Sequence, residues 1–174
     1  IYLLYIALLY TYYKLSIYVL YNYYILSIYL LYNRSLLTNT MLYFTSKLLE
    51  ETKTKDLARR LMMSNEWVDG KAASAPGSLV KKNLQLNSGT EQHSKFSTEI
   101  ISIIENNSLI QNYSFPAKIF NILFTRTGEG MFYGPHIDIP YLPTGRRDLS
   151  FTIFLNDKQN YKGGELILYI PPEK

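Results

Sequence analysis

The sequence predicts a mainly β domain of the α+β class, in which short strands form a sandwich or barrel and two helices pack against it. Short apolar runs at residues 149–155 and 165–170 are preceded by glycine-rich segments, as in strands joined by turns. Two upstream segments repeat apolar residues at helical spacing. The length of 174 residues and the 47% apolar content suit one domain with a sizeable core.

The first 40 residues differ in composition from the rest. Of the 17 tyrosines, 11 fall within residues 1–32, where Lys14 is the only charged residue. The uncharged run at 15–32 is about long enough for a membrane helix, although tyrosine is typical of membrane interfaces rather than of their centre. The alternative is a low-complexity leader of the kind that AT-rich codons encode, outside a domain at residues 41–174. We favour the leader, and the membrane anchor remains the alternative.

Helical periodicity predicts two amphipathic helices, at residues 45–63 and 93–106. His93, at the start of the second, has no neighbour that suits a metal ligand, so we interpret it as a surface residue. Between the helices, Trp67 is expected to pack in the core. A largely apolar segment at 117–124 predicts a strand buried on both faces.

The segment with the clearest chemistry contains His136 and Asp138. Residues two apart in a strand share a face, so a predicted strand here directs both side chains the same way. One histidine and one carboxylate are two of the three ligands of the facial triad that holds Fe(II). With two histidines, a His-x-Asp/Glu pattern arises by chance in about one chain in four. The glycines before it and the strands after it raise its significance.

Five segments, taken in order, resemble the PKHD-type hydroxylases. They are residues 67–70, 82–86, 130–138, 147–156 and 161–166. This family comprises small Fe(II)- and 2-oxoglutarate-dependent dioxygenases related to the catalytic domain of the prolyl 4-hydroxylase alpha subunit. The resemblance extends over residues 45–172, which makes it far more specific than the His-x-Asp pattern alone.

The resemblance implies a double-stranded β-helix, or jelly roll, with the helices against one sheet. It implies Fe(II) as cofactor, 2-oxoglutarate as co-substrate and ascorbate as accessory reductant. The expected reaction is hydroxylation of an unactivated C–H bond in a small molecule or a peptidyl side chain, coupled to formation of succinate. A cytoplasmic location is expected, and the oligomeric state is left open.

The resemblance also assigns residues. His136 and Asp138 match the first two iron ligands. Thr127 stands where related enzymes have a tyrosine that helps to hold the co-substrate, and threonine keeps a hydroxyl but reaches less far. Arg147 either faces the substrate or pairs with Asp148 or Glu165. The lysines at 81 and 82 either meet an acidic substrate at the pocket mouth or are solvated.

The family takes a second histidine, and a basic residue for the far carboxylate of 2-oxoglutarate, from later strands. Neither precedes Lys174, so we expect an inactive fragment truncated at its carboxyl end. Two alternatives are a non-catalytic remnant and a membrane-anchored binding protein with the same β fold. The net charge of +4 does not favour a nucleic-acid partner, and the absence of cysteine excludes disulfides and Cys-ligated metals.

Overall fold

The computed structural model describes residues 3–8, 19–20, 25–30, 43–73 and 80–168. Three α-helices lie in these ranges: α1 Glu51–Met62, α2 Glu91–Glu105 and α3 Ser108–Ser114. The strands are β1 Leu3–Leu8, β2 Val19–Leu20, β3 Ile25–Leu30, β4 Tyr43–Lys47, β5 Trp67–Asp69, β6 Lys81–Lys82, β7 Leu84–Leu86, β8 Leu123–Thr127, β9 Phe132–Tyr133, β10 Tyr141–Leu142, β11 Gly145–Arg146, β12 Leu149–Phe154 and β13 Leu166–Ile167. This mixture of helices and strands agrees with the predicted α+β class.

Seven strands form one antiparallel sheet in the order β4-β3-β12-β1-β8-β7-β5. The remaining strands form the two-stranded pairs β10-β11, β13-β2 and β6-β9. Strands β1 and β3 come from the first 40 residues, and β1 pairs with β8 on one side and β12 on the other. The division of the chain at residue 40 stays a prediction.

Helices α1 and α2 bury one face each against the sheet. The buried positions recur at helical spacing, with Leu57 and Leu61 in α1 and Ile100 and Ile104 in α2. They join Phe124 of β8 in one hydrophobic core. Among the described residues, no helix has the length and apolar character needed to cross a membrane.

Strand β12 separates the core from the site. Leu149, Phe151 and Ile153 belong to the hydrophobic core. Side chains alternate along a strand, so Ser150 and Thr152 lie on the opposite face. The predicted strand at 149–155 is therefore confirmed, and its second face carries the polar residues that approach the candidate metal ligands.

Some of the observed elements differ from the predicted ones. The first helix begins at Glu51 rather than at 45, because Tyr43–Lys47 pairs with β3 as a strand. The strand predicted at 117–124 is wrong for most of its length, since β8 begins only at Leu123 and Asn121 has a positive φ of 57° that interrupts an extended chain. Helix α3 was not predicted. The strand predicted at 165–170 is described only to residue 168, and β13 lies within it.

The surface interpretation of His93 is wrong. Its ring is buried, with Nε2 at 3.0 Å from the carbonyl oxygen of Ile122 and Nδ1 at 3.3 Å from the hydroxyl of Ser97. It also meets the ring of Phe124 edge to face at 5.3 Å between centroids. Burial lowers the pKa of His93, and the hydrogen bond to Ile122 offsets only part of that shift. Trp67 packs against the core, as predicted.

Candidate metal centre

His136 and Asp138 lie in the segment between β9 and β10, which is not a strand. The predicted strand is wrong here, because residues 134–139 have no ladder partner and Pro135 has no backbone N–H to donate to one. The predicted convergence of the two side chains is nevertheless observed. Nε2 of His136 is 3.4 Å from Oδ1 of Asp138.

The ring of His136 is fixed by its neighbours. Nδ1 lies 2.8 Å from the carbonyl oxygen of Gly134, an arrangement that assigns the ring proton to Nδ1. The ring of Tyr133 stacks on the imidazole, with 3.7 Å between centroids and planes 8° apart. A histidine that donates one N–H to a carbonyl offers its other nitrogen as a metal ligand. Here that nitrogen is Nε2, which faces Asp138.

The carboxylate of Asp138 is held by a residue of the seven-stranded sheet. Its Oδ2 accepts a hydrogen bond of 3.2 Å from the hydroxyl of Ser150 on β12. One carboxylate oxygen is thus oriented by the strand and the other faces His136. Second partners of this kind orient ligands and are typical of metal sites.

The pKa of His136 lies above its ordinary value. Burial pushes this pKa down, but the hydrogen bonds to Asp138 and to the Gly134 carbonyl, together with the charge of Asp138, outweigh burial and the repulsion from Lys81. The position between the two side chains therefore favours positive charge, whether a proton or a metal ion supplies it.

Arg147 is buried beside this pair. Burial lowers the pKa of Arg147, and the charge of Asp138 offsets only part of that shift. Its Nε has no hydrogen-bond partner. Asp148, one of its predicted partners, pairs with Arg146 at 2.5 Å instead, and within the described ranges Arg147 forms no ion pair. The buried Nε–H of Arg147 therefore has no acceptor within the described residues.

Thr127 ends β8 and is half-buried. Extending the pairing of β7 with β8 places it opposite Asn83. In the part of the chain that the structure describes, no hydrogen bond joins Thr127 to His136 or Asp138.

Sequence reasoning missed the contacts of two residues of the site, Tyr133 and Ser150, and left Lys81 open between a substrate contact and a solvated position. The solvated interpretation of the lysine pair is right for Lys82, which is exposed, and wrong for Lys81, which is 3% exposed. The Nζ of Lys81 lies 5.1 Å from the ring centroid of Tyr133, its register partner on β9. The available signal was strand alternation, which predicts opposite faces for adjacent lysines.

The described residues contain no group of three or more His, Cys, Asp or Glu side chains positioned for a metal ion. His136 and Asp138 lie close together, as the sequence predicts, and their assignment as two ligands of a facial triad stays a prediction.

Comparison with known proteins agrees with this arrangement. The family model described as the 2OG-Fe(II) oxygenase superfamily matches residues 122–174, which include both candidate ligands. A PKHD-type hydroxylase of Prochlorococcus marinus strain MIT 9301 is 48% identical over 104 residues, or 59% of this chain and 47% of the relative. Another, from strain MIT 9515, is 44% identical over 126 residues, or 71% of this chain and 57% of the relative. This chain is a relative of the PKHD-type hydroxylases.

The predicted resemblance is therefore confirmed. The chain spans about half the length of the curated PKHD-type hydroxylases that it matches. No solved structure matches it.

Proposed function

We propose that the chain carries the iron-binding part of an Fe(II)- and 2-oxoglutarate-dependent hydroxylase, with His136 and Asp138 as two of the iron ligands. The observation that supports this most strongly is the 3.4 Å between Nε2 and Oδ1, with each residue oriented by a second group, Gly134 for the imidazole and Ser150 for the carboxylate.

The donor set fits the metal. An imidazole nitrogen and a carboxylate oxygen, with further positions open, are the ligands of non-haem Fe(II) oxygenases. Bound iron supplies the oxygen chemistry that couples oxidation of 2-oxoglutarate to hydroxylation of a C–H bond. The residues of this chain contribute orientation: the Gly134 carbonyl fixes the imidazole tautomer, Ser150 fixes the carboxylate, and Tyr133 covers one face of the ring.

Two further residues have proposed roles. The Thr127 hydroxyl contributes to the co-substrate site at the end of β8, and Arg147 faces the substrate. The buried Nε of Arg147 supports the second role, because a buried N–H without a hydrogen-bond partner is costly unless a ligand accepts from it. The jelly-roll topology, the use of ascorbate, the peptidyl or small-molecule substrate and the cytoplasmic location remain predictions from the family resemblance.

Fe(II) titration under anaerobic conditions tests the proposal. Asp138→Ala should weaken Fe(II) binding by about tenfold or more, since it removes a charged ligand. Asp148→Ala is the matched control, because Asp148 lies ten residues along the chain and pairs with Arg146 at the surface. Equal Fe(II) affinity in the two variants would contradict the assignment.

A further inference from the structure

A row of buried polar side chains lies beside the candidate iron ligands. Lys81 of β6, Asn83 between the two strands and Gln85 of β7 recur at every second residue. All three are at most 4% exposed. Gln85 donates a hydrogen bond of 3.4 Å to the hydroxyl of Thr125, its register partner on β8, and alternation places both residues on the face of the sheet opposite Phe124 of the core.

Much of this row has no hydrogen-bond partner. Both amide atoms of Asn83 and the Oε1 of Gln85 are buried and unpaired. Within the described ranges Lys81 has no carboxylate at salt-bridge distance, and its contact is the ring of Tyr133. Leaving a buried polar group unpaired costs about 1–3 kcal/mol, and more for a charged group. A ligand that accepts from the donors of this row, the Lys81 ammonium and the Asn83 Nδ2, would recover their share of that cost.

The chemistry of the row indicates what the ligand carries. An ammonium and the N–H groups of an amide together bind a carboxylate. Lys81 lies beneath Tyr133, whose ring contacts both Lys81 and His136. The carboxylate would therefore lie beside Tyr133, whose ring also stacks on the imidazole of His136.

Apolar side chains flank Lys81. Val80 precedes it in the chain, and Phe132 and Tyr133 belong to β9, which pairs with β6; all three are large and exposed. A ligand that contacts Lys81 also meets these side chains, so an apolar body beside the carboxylate fits this environment.

We propose that Lys81 and Asn83 form a subsite for the carboxylate of an acidic substrate with an apolar body. The inference rests on the proposed function, since it takes the bound molecule to be the one hydroxylated near His136 and Asp138. The side chain of Asn83 lies against Gly70 and fills the space where an added Cβ would be 2.0 Å from the Asn83 Oδ1.

Binding of phenylacetate to the metal-free chain of residues 1–174, measured calorimetrically, tests the subsite. Lys81→Met should weaken binding by about tenfold or more, because it removes a charge-assisted hydrogen bond. Lys82→Met, the exposed neighbour on the other face, should leave the affinity unchanged. Lys81→Arg should retain most of the binding, and phenylacetamide, the neutral analogue, should bind at least about tenfold more weakly than phenylacetate.

Lys81→Met exchanges a buried ammonium for an apolar side chain of similar length, a change that is often neutral or stabilising. Should it fail to fold, Asn83→Asp serves the same purpose, since it places a negative charge against the carboxylate. Equal binding by Lys81→Met and Lys82→Met, or no binding by the wild type, would overturn the proposal. If 2-oxoglutarate displaces phenylacetate at concentrations near its own dissociation constant, Lys81 belongs to the co-substrate site. That result would overturn the substrate assignment. Because no metal is present, each of these failures is distinct from a failure of the iron site.

Discussion

The two histidines of the chain occupy opposite kinds of environment. His93 lies in the core between α2 and β8, with one ring nitrogen at the Ile122 carbonyl and the other at the Ser97 hydroxyl. His136 lies on a connecting segment, with only Nδ1 fixed to the backbone and Nε2 facing a carboxylate. Burial lowers the pKa of His93, whereas the pKa of His136 is raised despite burial. The difference supports the proposal that His136 binds a metal, because a histidine ligand needs a nitrogen that no backbone group holds, and a charged partner beside it stabilises the bound cation.

The largest expected loss of stability comes from a substitution in the hydrophobic core around His93. Phe124→Ala should lower the free energy of unfolding by about 3–5 kcal/mol, because Phe124 is fully buried against both His93 and Phe96. Urea denaturation of Phe115→Ala provides the control. Phe115 is 81% exposed, so the control should change stability by less than about 0.5 kcal/mol. Similar losses in both variants would show that Phe124 does not pack as described.

The next effect separates the two histidines. His93→Ala should cost about 2–4 kcal/mol of unfolding free energy, since it opens a cavity and leaves the buried carbonyl of Ile122 without its donor. His136→Ala should change stability by less than about 1 kcal/mol, because its segment carries little of the core. Chemical denaturation at pH 7.5 measures both. A larger loss for His136→Ala would reverse the assignment of structural and site residues.

The pH dependence of stability sharpens the same contrast. Below its unfolded value of 6.5, His93 is protonated in the unfolded chain but stays neutral in the fold, so the wild type loses stability as pH falls from 6.5 towards the lowered pKa. The contribution of His136 to stability has the opposite pH dependence. Its contribution is present below 6.5 and is lost as pH rises through its raised pKa. His93→Gln should remove the loss of stability below pH 6.5. His136→Gln should keep that loss but remove the decline in stability as pH rises above 6.5. Identical profiles in the two variants would refute this account.

Much of the fold and the ligand pair could be predicted from sequence, because each depends on local pattern. Apolar periodicity located α2 and β12, and the His-x-Asp spacing located both candidate ligands. What failed depends on tertiary context. The buried position of His93 follows from a carbonyl 29 residues away, and that of Lys81 follows from pairing with β9, neither of which a local pattern contains.

The smallest expected effect concerns the helices outside the site. Arg60 of α1 forms two hydrogen bonds, of 2.8 and 2.6 Å, to the carboxylate of Glu99 in α2, and these raise the pKa of Arg60. Both side chains are partly solvated, so Glu99→Gln should cost only about 0.5–1 kcal/mol and less at high salt. Glu91→Gln removes an exposed ion pair with Lys95, so its melting temperature in thermal unfolding should not differ measurably from that of the wild type. A null result for both variants would mean that the interhelical pair contributes nothing.

Because the chain has only two histidines, NMR of the imidazole ring protons during Mn(II) titration tests the central claim most directly. Mn(II) takes the same nitrogen and oxygen ligands as Fe(II) and broadens nearby signals, and His136→Gln assigns the two sets of resonances. The account predicts that the His136 signals broaden well before one equivalent of Mn(II) while those of His93 remain sharp, and that Asp138→Ala weakens the effect. Broadening of His93 first, or of both histidines equally, would contradict the claim that His136 and Asp138 form the metal site.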